Sequence, residues 1–146
     1  MHKIVRLASV IVLALSIGCS DSTGPVSLSL ARLRWEKQNL HNYAFNSLVS
    51  CFCNTPGYVH VTVLSDTVHS VFEVSTGAEV AKHWGYTVND LFDYAANAFA
   101  EKDRKVRIEF DSDLGYPRLL SITCAPEIAD CGVALQTSNL SEVVID

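Results

Sequence analysis

The sequence has no apolar segment long enough to cross a membrane. Its most apolar segment, residues 7–18, contains 12 uncharged residues, whereas a membrane-spanning helix needs about 20. Basic residues are also few, with 11 Lys and Arg against 16 Asp and Glu and a formal net charge of −5. A nucleic-acid-binding protein needs a basic surface, so we expect no nucleic-acid partner.

Two motifs that mark large groups of hydrolases are missing. The sequence contains neither Gly-x-Ser-x-Gly nor His-Glu-x-x-His, which place a nucleophilic serine or a zinc ion in the enzymes that carry them. These motifs therefore give no indication of a hydrolytic reaction, and evidence of function has to come from other segments of the sequence.

The N-terminal residues have the features of a bacterial export signal. Lys3 and Arg6 precede the short apolar segment, as in signal peptides. The segment ends in Leu-Ser-Ile-Gly-Cys, residues 15–19, which resembles the lipobox of bacterial lipoproteins. In that family the cysteine thiol takes a diacylglycerol, the signal is cut before the cysteine, and the new amino group is acylated. The alternatives are a plain secretory signal in which Cys19 has no role, and a buried N-terminal helix.

This resemblance divides the chain into three predicted parts. Residues 1–18 are the signal peptide, residues 19–27 are the lipidated Cys19 with a flexible tether of small and polar residues, and residues 28–146 form a single domain. Without the signal, nine basic residues remain against 16 acidic ones, a formal charge of −7. Ser20, which follows the cysteine, resembles the residue found in lipoproteins released to the outer membrane, so we expect the domain to face the periplasm from that membrane.

Hydrophobic periodicity predicts two helices and about six strands. Residues 28–42 mix leucines and Trp35 with charged residues and predict an amphipathic helix. Thr87, three residues before Asp90, resembles a capping box that starts a second helix running to about Lys102. Three strands are predicted after each helix, at 43–53, 58–63, 68–74, 106–110, 120–124 and 133–135. The order is typical of an α+β fold in which an antiparallel sheet has two helices packed on one face.

Four cysteines remain once Cys19 is lipidated: Cys51, Cys53, Cys124 and Cys131. An even number in an exported protein favours disulfides, because compartments outside the cytoplasm are oxidising. Cys124 and Cys131 bracket a predicted loop between strands, which would bring them together and leave Cys51 for Cys53, while pairing across the two sites stays open. The alternation of residues 43–53 turns both Cys51 and Cys53 toward the core.

Four segments together resemble a known family: WEKQNLHNYAF at 35–45, CFC at 51–53, TVNDLFD at 87–93 and EFDSDLGYP at 109–117. The family is a group of bacterial lipoproteins described only as a domain of unknown function, DUF6174. The resemblance implies export and lipid anchoring, and it implies no reaction because none is assigned to the family. The sequence departs from the family pattern at Cys124, where an aspartate is expected, and Cys131 is also an addition. This departure supports pairing Cys124 with Cys131 and Cys51 with Cys53.

A candidate contact surface lies on the polar side of the second predicted strand. It consists of Tyr58, His60 and Thr62, and Tyr116 would belong to it if exposed. Asp111 to Gly115 has some of the oxygen ligands of a calcium loop but lacks the third. We interpret that segment as a hairpin connection.

Cys51 and Cys53 are also candidates for redox chemistry. A reactive thiol needs a nearby cation to lower its pKa, and no Lys, Arg or His lies within six residues of either. His60 and His69 are candidates to complete a zinc site with these thiols, but the alternation turns His60 away from the core. We therefore expect no metal site and no cofactor.

Two hypotheses of function follow. The first is a non-catalytic, lipid-anchored protein of the bacterial cell envelope, held to membrane lipid by acylated Cys19, that binds an envelope protein or ligand or serves structurally. The alternative is a thiol-dependent redox enzyme that uses Cys51 and Cys53.

Overall fold

A computed structural model describes residues 24–124 and 131–145. The predicted signal peptide and the predicted lipidation site, Cys19, lie outside the described residues. Neither described helix has the length and apolar character that a membrane crossing requires.

The described chain forms two helices and a six-stranded antiparallel sheet, which confirms the predicted α+β fold. Along the sheet the strands lie in the order β3-β2-β1-β6-β5-β4, so the two groups of three strands meet where β1 pairs with β6. Both helices pack on one face of the sheet, and the core lies between them and the strands. The elements are α1 (Pro25–Glu36), β1 (Tyr43–Cys51), β2 (Tyr58–Leu64), β3 (Thr67–Glu73), a 3₁₀ turn (Lys82–Trp84), α2 (Val88–Ala100), β4 (Arg104–Phe110), β5 (Pro117–Cys124) and β6 (Val133–Glu142).

The start of α2 is the predicted capping box. The Thr87 hydroxyl accepts a hydrogen bond from Asp90 N at 3.0 Å, and the Asp90 carboxylate accepts one from Thr87 N at 2.8 Å. Two amide groups at the helix start, which lack partners within the helix, are satisfied in this way. The helix ends at Ala100, two residues before the predicted end.

The first helix differs from its prediction in both position and orientation. It begins at Pro25, so residues 25–27 of the predicted tether are helical, and it ends at Glu36 rather than at Asn42. Proline suits the first position of a helix because its missing amide hydrogen would have no partner there. Leu28, Ala31 and Trp35 face the core, while Leu30 and Leu33 are exposed. The helix is therefore apolar on two opposite sides.

A tyrosine hydroxyl and an aromatic contact join the two helices to the central strand. The ring of Trp35 in α1 packs edge-on against Tyr43 of β1, with 5.2 Å between ring centroids. The Tyr43 hydroxyl accepts a hydrogen bond from Val88 N, the first residue of α2, at 3.0 Å. On the surface, Arg32 of α1 pairs with Asp93 of α2 at 2.8 Å. These contacts fix how the helices lie on the sheet.

The connection between β4 and β5 packs against α1. The Asp111 carboxylate accepts hydrogen bonds from the amides of Asp113 and Leu114, which commits it to the turn and confirms the hairpin interpretation. Gly115 adopts φ +85° and lies so close to α1 that a β-carbon there would be 2.6 Å from the Ala31 carbonyl oxygen. The turn therefore requires a glycine at position 115 for two separate reasons, the positive φ and the close approach to α1.

Stability is expected to fall in alkaline solution because burial raises the pKa of Tyr43 to about 12, and also raises the pKa values of Tyr86 and Tyr116. The pKa of tyrosine in an unfolded chain is about 10, so the folded state binds the hydroxyl protons of these tyrosines more tightly. The contribution of Tyr43 is complete below a pH of about 10 and is lost as the pH rises toward about 12. Urea unfolding at pH of about 8 and about 11 measures the loss, which Tyr43→Phe should reduce. An equal loss in Tyr43→Phe would show that Tyr43 does not contribute.

Candidate functional site

The face of the sheet that the helices leave uncovered carries three of the predicted contact residues. Tyr58, His60 and Thr62 alternate along β2 with buried valines and point away from the helices. Tyr58 and His60 are exposed and Thr62 is half-buried. We call this surface, with the cross-strand neighbours described next, the open face.

Cross-strand pairing adds apolar side chains to the open face that sequence reasoning did not assign to it. Leu48 of β1 lies opposite Tyr58. Gln136 of β6 lies opposite Leu48 and is in turn opposite Leu119 of β5. Phe72 of β3 lies opposite His60. The open face therefore combines apolar side chains with amide and imidazole groups.

The position of Phe72 depends on a β-bulge. The register between β2 and β3 shifts where Thr62 pairs with Ser70 and Val63 pairs with Val68. The extra residue reverses the alternation along β3, so Val71 is completely buried and Phe72 is exposed. A regular strand would have placed Phe72 on the same side as Val68, whose partner across the strands is the buried Val63.

Tyr58 stands between two shallow depressions of the open face. It is 49% exposed and, together with Ser138, lines both of them. One depression has a volume of about 530 Å³ and includes Asn46 and Val74. The other has a volume of about 310 Å³ and includes Arg118 in its lining. A partner that reached both depressions would therefore contact Tyr58 from two sides.

The orientation of His60 is fixed by its neighbour on β1. Its Nδ1 donates a hydrogen bond to the Asn46 side-chain oxygen at 2.9 Å. Within residues 24–124 and 131–145 the Nε2 atom makes no hydrogen bond, and the side chain as a whole is exposed. The hydrogen bond between His60 and Asn46 therefore holds two polar side chains in one geometry beside the side chains of Tyr58 and Leu48.

Tyr116 does not belong to the open face, which corrects the expectation that it would. It is 6% exposed and lies in the core. The reason is the turn that precedes it, since the Tyr116 carbonyl accepts a hydrogen bond from Asp111 N at 2.8 Å and Gly115 reverses the chain against α1. The aromatic ring is thereby directed inward.

The cysteines form the two predicted pairs, which confirms the prediction of disulfide bonds. Cys51 is bonded to Cys53 across a Cα separation of 5.1 Å, and Cys124 to Cys131 across 5.8 Å. Cys51 is half-buried, but Cys53 is exposed rather than turned toward the core. The strand β1 ends at Cys51, so the alternation that predicted an inward Cys53 stops before reaching it.

Both disulfides lie at the same end of the sheet. Cys51 pairs with Val133, which pairs in turn with Ile122. Cys131 lies two residues before Val133, and Cys124 lies two residues after Ile122. The Cys124–Cys131 bridge therefore connects the ends of β5 and β6, and the Cys51–Cys53 bridge lies at the adjacent end of β1.

A cleft of about 330 Å³ lies beside these bridges. Phe52, which is 83% exposed, stands at its rim. Among the described residues that line it there is no Lys, Arg or His to lower the pKa of a thiol. Its lining favours contact with an apolar group over redox chemistry.

No metal centre is formed by the residues in 24–124 and 131–145. No three His, Cys, Asp or Glu side chains within these ranges come close enough to hold an ion. His60 lies on the open face and Asp111 is bonded to its own turn.

Comparison with protein families gives one result. A model described as a family of unknown function, DUF6174, matches residues 27–142. The chain belongs to the DUF6174 family. No curated protein and no solved structure matches it.

In this DUF6174 chain the segments that carried the resemblance build the fold. Trp35 and Tyr43 make contacts that join helices and sheet, Thr87 caps the start of α2, and Gly115 brings the β4–β5 turn against α1. None of these four residues lies on the open face. The DUF6174 motifs therefore belong to the framework, whereas the cross-strand neighbours of Tyr58, His60 and Thr62 on the open face follow from the topology.

Proposed function

We propose that this DUF6174 protein is a lipid-anchored protein of the bacterial cell envelope that binds a partner, without catalysis, through its open face. The partner is an envelope protein or ligand. The proposal has two parts, the anchor and the binding surface, and each part has its own support and its own test.

The anchor is supported by the N-terminal sequence. A basic start, a 12-residue apolar segment and Cys19 directly after Gly18 resemble a lipoprotein signal. Each buried methylene of an acyl chain contributes about 0.8 kcal/mol to membrane attachment, so one chain binds weakly and several bind firmly. The two disulfides are compatible with an oxidising compartment outside the cytoplasm.

The binding surface is supported above all by Tyr58. Aromatic side chains are enriched at protein interfaces, and Tyr58 is exposed between two depressions. Phe72 and Leu119 extend the apolar part of the surface, while Gln136 and the His60–Asn46 pair offer hydrogen bonds. A surface of this mixed character suits a protein partner that dissociates, because such interfaces combine an apolar centre with polar surroundings.

The mass of the mature protein from its native membrane tests the anchor. We expect a chain that begins at Cys19 and carries a diacylglyceryl group and an amino-terminal acyl group. Its mass should also be lower by the thiol hydrogens that are lost when two disulfides form. A mature chain without acyl groups would overturn the lipid anchor. The same measurement on a reduced sample is the control for the disulfides.

Photocrosslinking in cells tests the binding surface. A photoreactive amino acid at position 58 or 72 is expected to give a covalent adduct with another envelope component, because both side chains are exposed on the open face. The matched control is Tyr94, which is also exposed but lies on α2. Adducts from position 94 alone, or from none of the three, would contradict binding through the open face.

A second candidate function is thiol–disulfide exchange at Cys51–Cys53. Exposure of Cys53 favours it, because an attacking thiolate must reach a sulfur atom. In that reaction the bridge would be reduced to two thiols while a partner's dithiol is oxidised to a disulfide. Equilibration with glutathione buffers tests it, since a structural bridge has a reduction potential below about −300 mV, whereas exchange-active bridges are reduced at higher potentials.

A further inference from the structure

The helix α1 has an exposed apolar stripe on the side opposite to the sheet. The stripe consists of Val26, Leu30 and Leu33, which are 75%, 60% and 54% exposed. Their spacing of four and then three residues places them on one side of the helix. Leu28, Ala31 and Trp35 occupy the other side and are buried. A surface helix usually has one apolar face, so the second one calls for a partner.

Basic side chains accompany the stripe. Lys37, which directly follows the helix, continues the same spacing, and Arg34 lies beside it on an exposed flank. The mature chain as a whole has a formal charge of −7. Apolar side chains next to basic ones are typical of helices that lie in the surface of an anionic bilayer.

We infer that the stripe of Val26, Leu30 and Leu33 rests on the surface of the bilayer in which Cys19 is anchored. This inference rests on the proposed lipid anchor. Only residues 20–23 separate Cys19 from Gly24, where the described chain begins. A fully extended chain spans at most about 3.6 Å per residue, so Gly24 lies within about 18 Å of the anchored cysteine.

The tether makes a weak contact sufficient. The stripe extends over two turns of the helix, about 10 Å, and three side chains supply little affinity for a bilayer in free solution. A protein already attached to the membrane has a high effective concentration at its surface. A second copy of the chain is a poorer occupant, because a stable interface uses about 20 residues or more on each side.

The contact would set the orientation of the whole domain. The stripe lies on the far side of α1 from the sheet, and the open face lies on the far side of the sheet from α1. With the stripe on the membrane, Tyr58 and the rest of the open face point away from it. The anchored protein would then present its binding surface to partners in the periplasm.

Hydroxyl-radical footprinting of the lipidated full-length protein tests the inference. The protein is reconstituted in vesicles of phosphatidylethanolamine and phosphatidylglycerol, and a Cys19→Ser protein in solution is the reference. The extent of oxidation of Leu30 and Leu33 is expected to fall by a factor of about three or more in the vesicles, because the bilayer surface excludes water from these side chains. Phe52 and Tyr58 should be oxidised equally in both samples.

Two double variants provide matched controls. Leu30→Glu/Leu33→Glu replaces exposed side chains, so it leaves the core intact, and it should restore the footprint of Val26 to that of the soluble protein. Phe52→Glu/Val74→Glu adds the same two charges to exposed residues on the other side of the sheet and should leave the protection of Leu30 and Leu33 unchanged.

The outcomes separate this inference from the lipid anchor. A protein that fails to float with the vesicles overturns the anchor and the inference with it. A protein that floats while Leu30 and Leu33 are oxidised as in solution overturns the inference alone. Protection that disappears when the protein is diluted in the bilayer at constant lipid would show that another copy covers the stripe, which also overturns the inference.

Discussion

Replacement of Cys19 by serine is expected to move the protein from the membrane fraction to the soluble envelope fraction or to leave it as an unprocessed precursor. A serine hydroxyl does not take the diacylglyceryl group, and several acyl chains contribute many buried methylenes at about 0.8 kcal/mol each. The stripe on α1 would not hold the protein by itself, since it has only three exposed side chains. The Cys19→Ser protein should therefore lose its lipid-dependent membrane attachment almost completely.

Cell fractionation followed by an alkaline wash of the membranes measures this result. Ser20→Ala is the matched control, because it changes the next residue and keeps the thiol, and it should remain in the membrane. A Cys19→Ser protein that is processed and stays in the washed membranes would show that another part of the chain anchors it.

Replacement of Gly115 by alanine is the second change for which we expect a large effect. It should lower the free energy of unfolding by about 3 kcal/mol. Two causes add at this position. The residue has φ +85°, which is unfavourable for any residue with a β-carbon, and that β-carbon would be 2.6 Å from the Ala31 carbonyl oxygen and 3.1 Å from Trp35 N. Both neighbours belong to the backbone of α1, so the helix itself would have to move.

Gly57→Ala separates these two causes. Gly57 has φ +78°, close to that of Gly115, but nothing lies within 4 Å of the position of its β-carbon. Only the backbone strain applies there, and we expect a loss of about 1 kcal/mol. The difference between the two variants in urea unfolding measures the contact between the turn and α1. Equal losses would mean that α1 adjusts to the alanine without strain.

Features set by residues close in sequence could be predicted. The capping box of Thr87 and Asp90 needs only four consecutive residues, and it formed as expected. The alternation of β1 placed Tyr43 and Phe45 in the core. The spacing of Cys124 and Cys131 around a predicted loop indicated their pairing. In each case the deciding interaction is local.

Features set by strand register, by the end of a strand or by distant contacts were predicted wrongly or missed. Phe72 is on the open face because a bulge shifted the register of β3 against β2. Tyr116 is buried because its turn packs on α1, more than 70 residues earlier in the chain. Cys53 is exposed because β1 ends at Cys51.

The sequence alone indicated the two helices, the six strands and the disulfide-bonded cysteines, and it predicts an export signal. Periodicity and capping are properties of a single segment, so they can be read without knowing what that segment contacts. Only the tertiary structure decided which side of α1 is buried and which residues of other strands join Tyr58, His60 and Thr62 on the open face. Leu28 and Leu30 are the same residue type on one helix, and only the position of the sheet makes one of them core and the other surface.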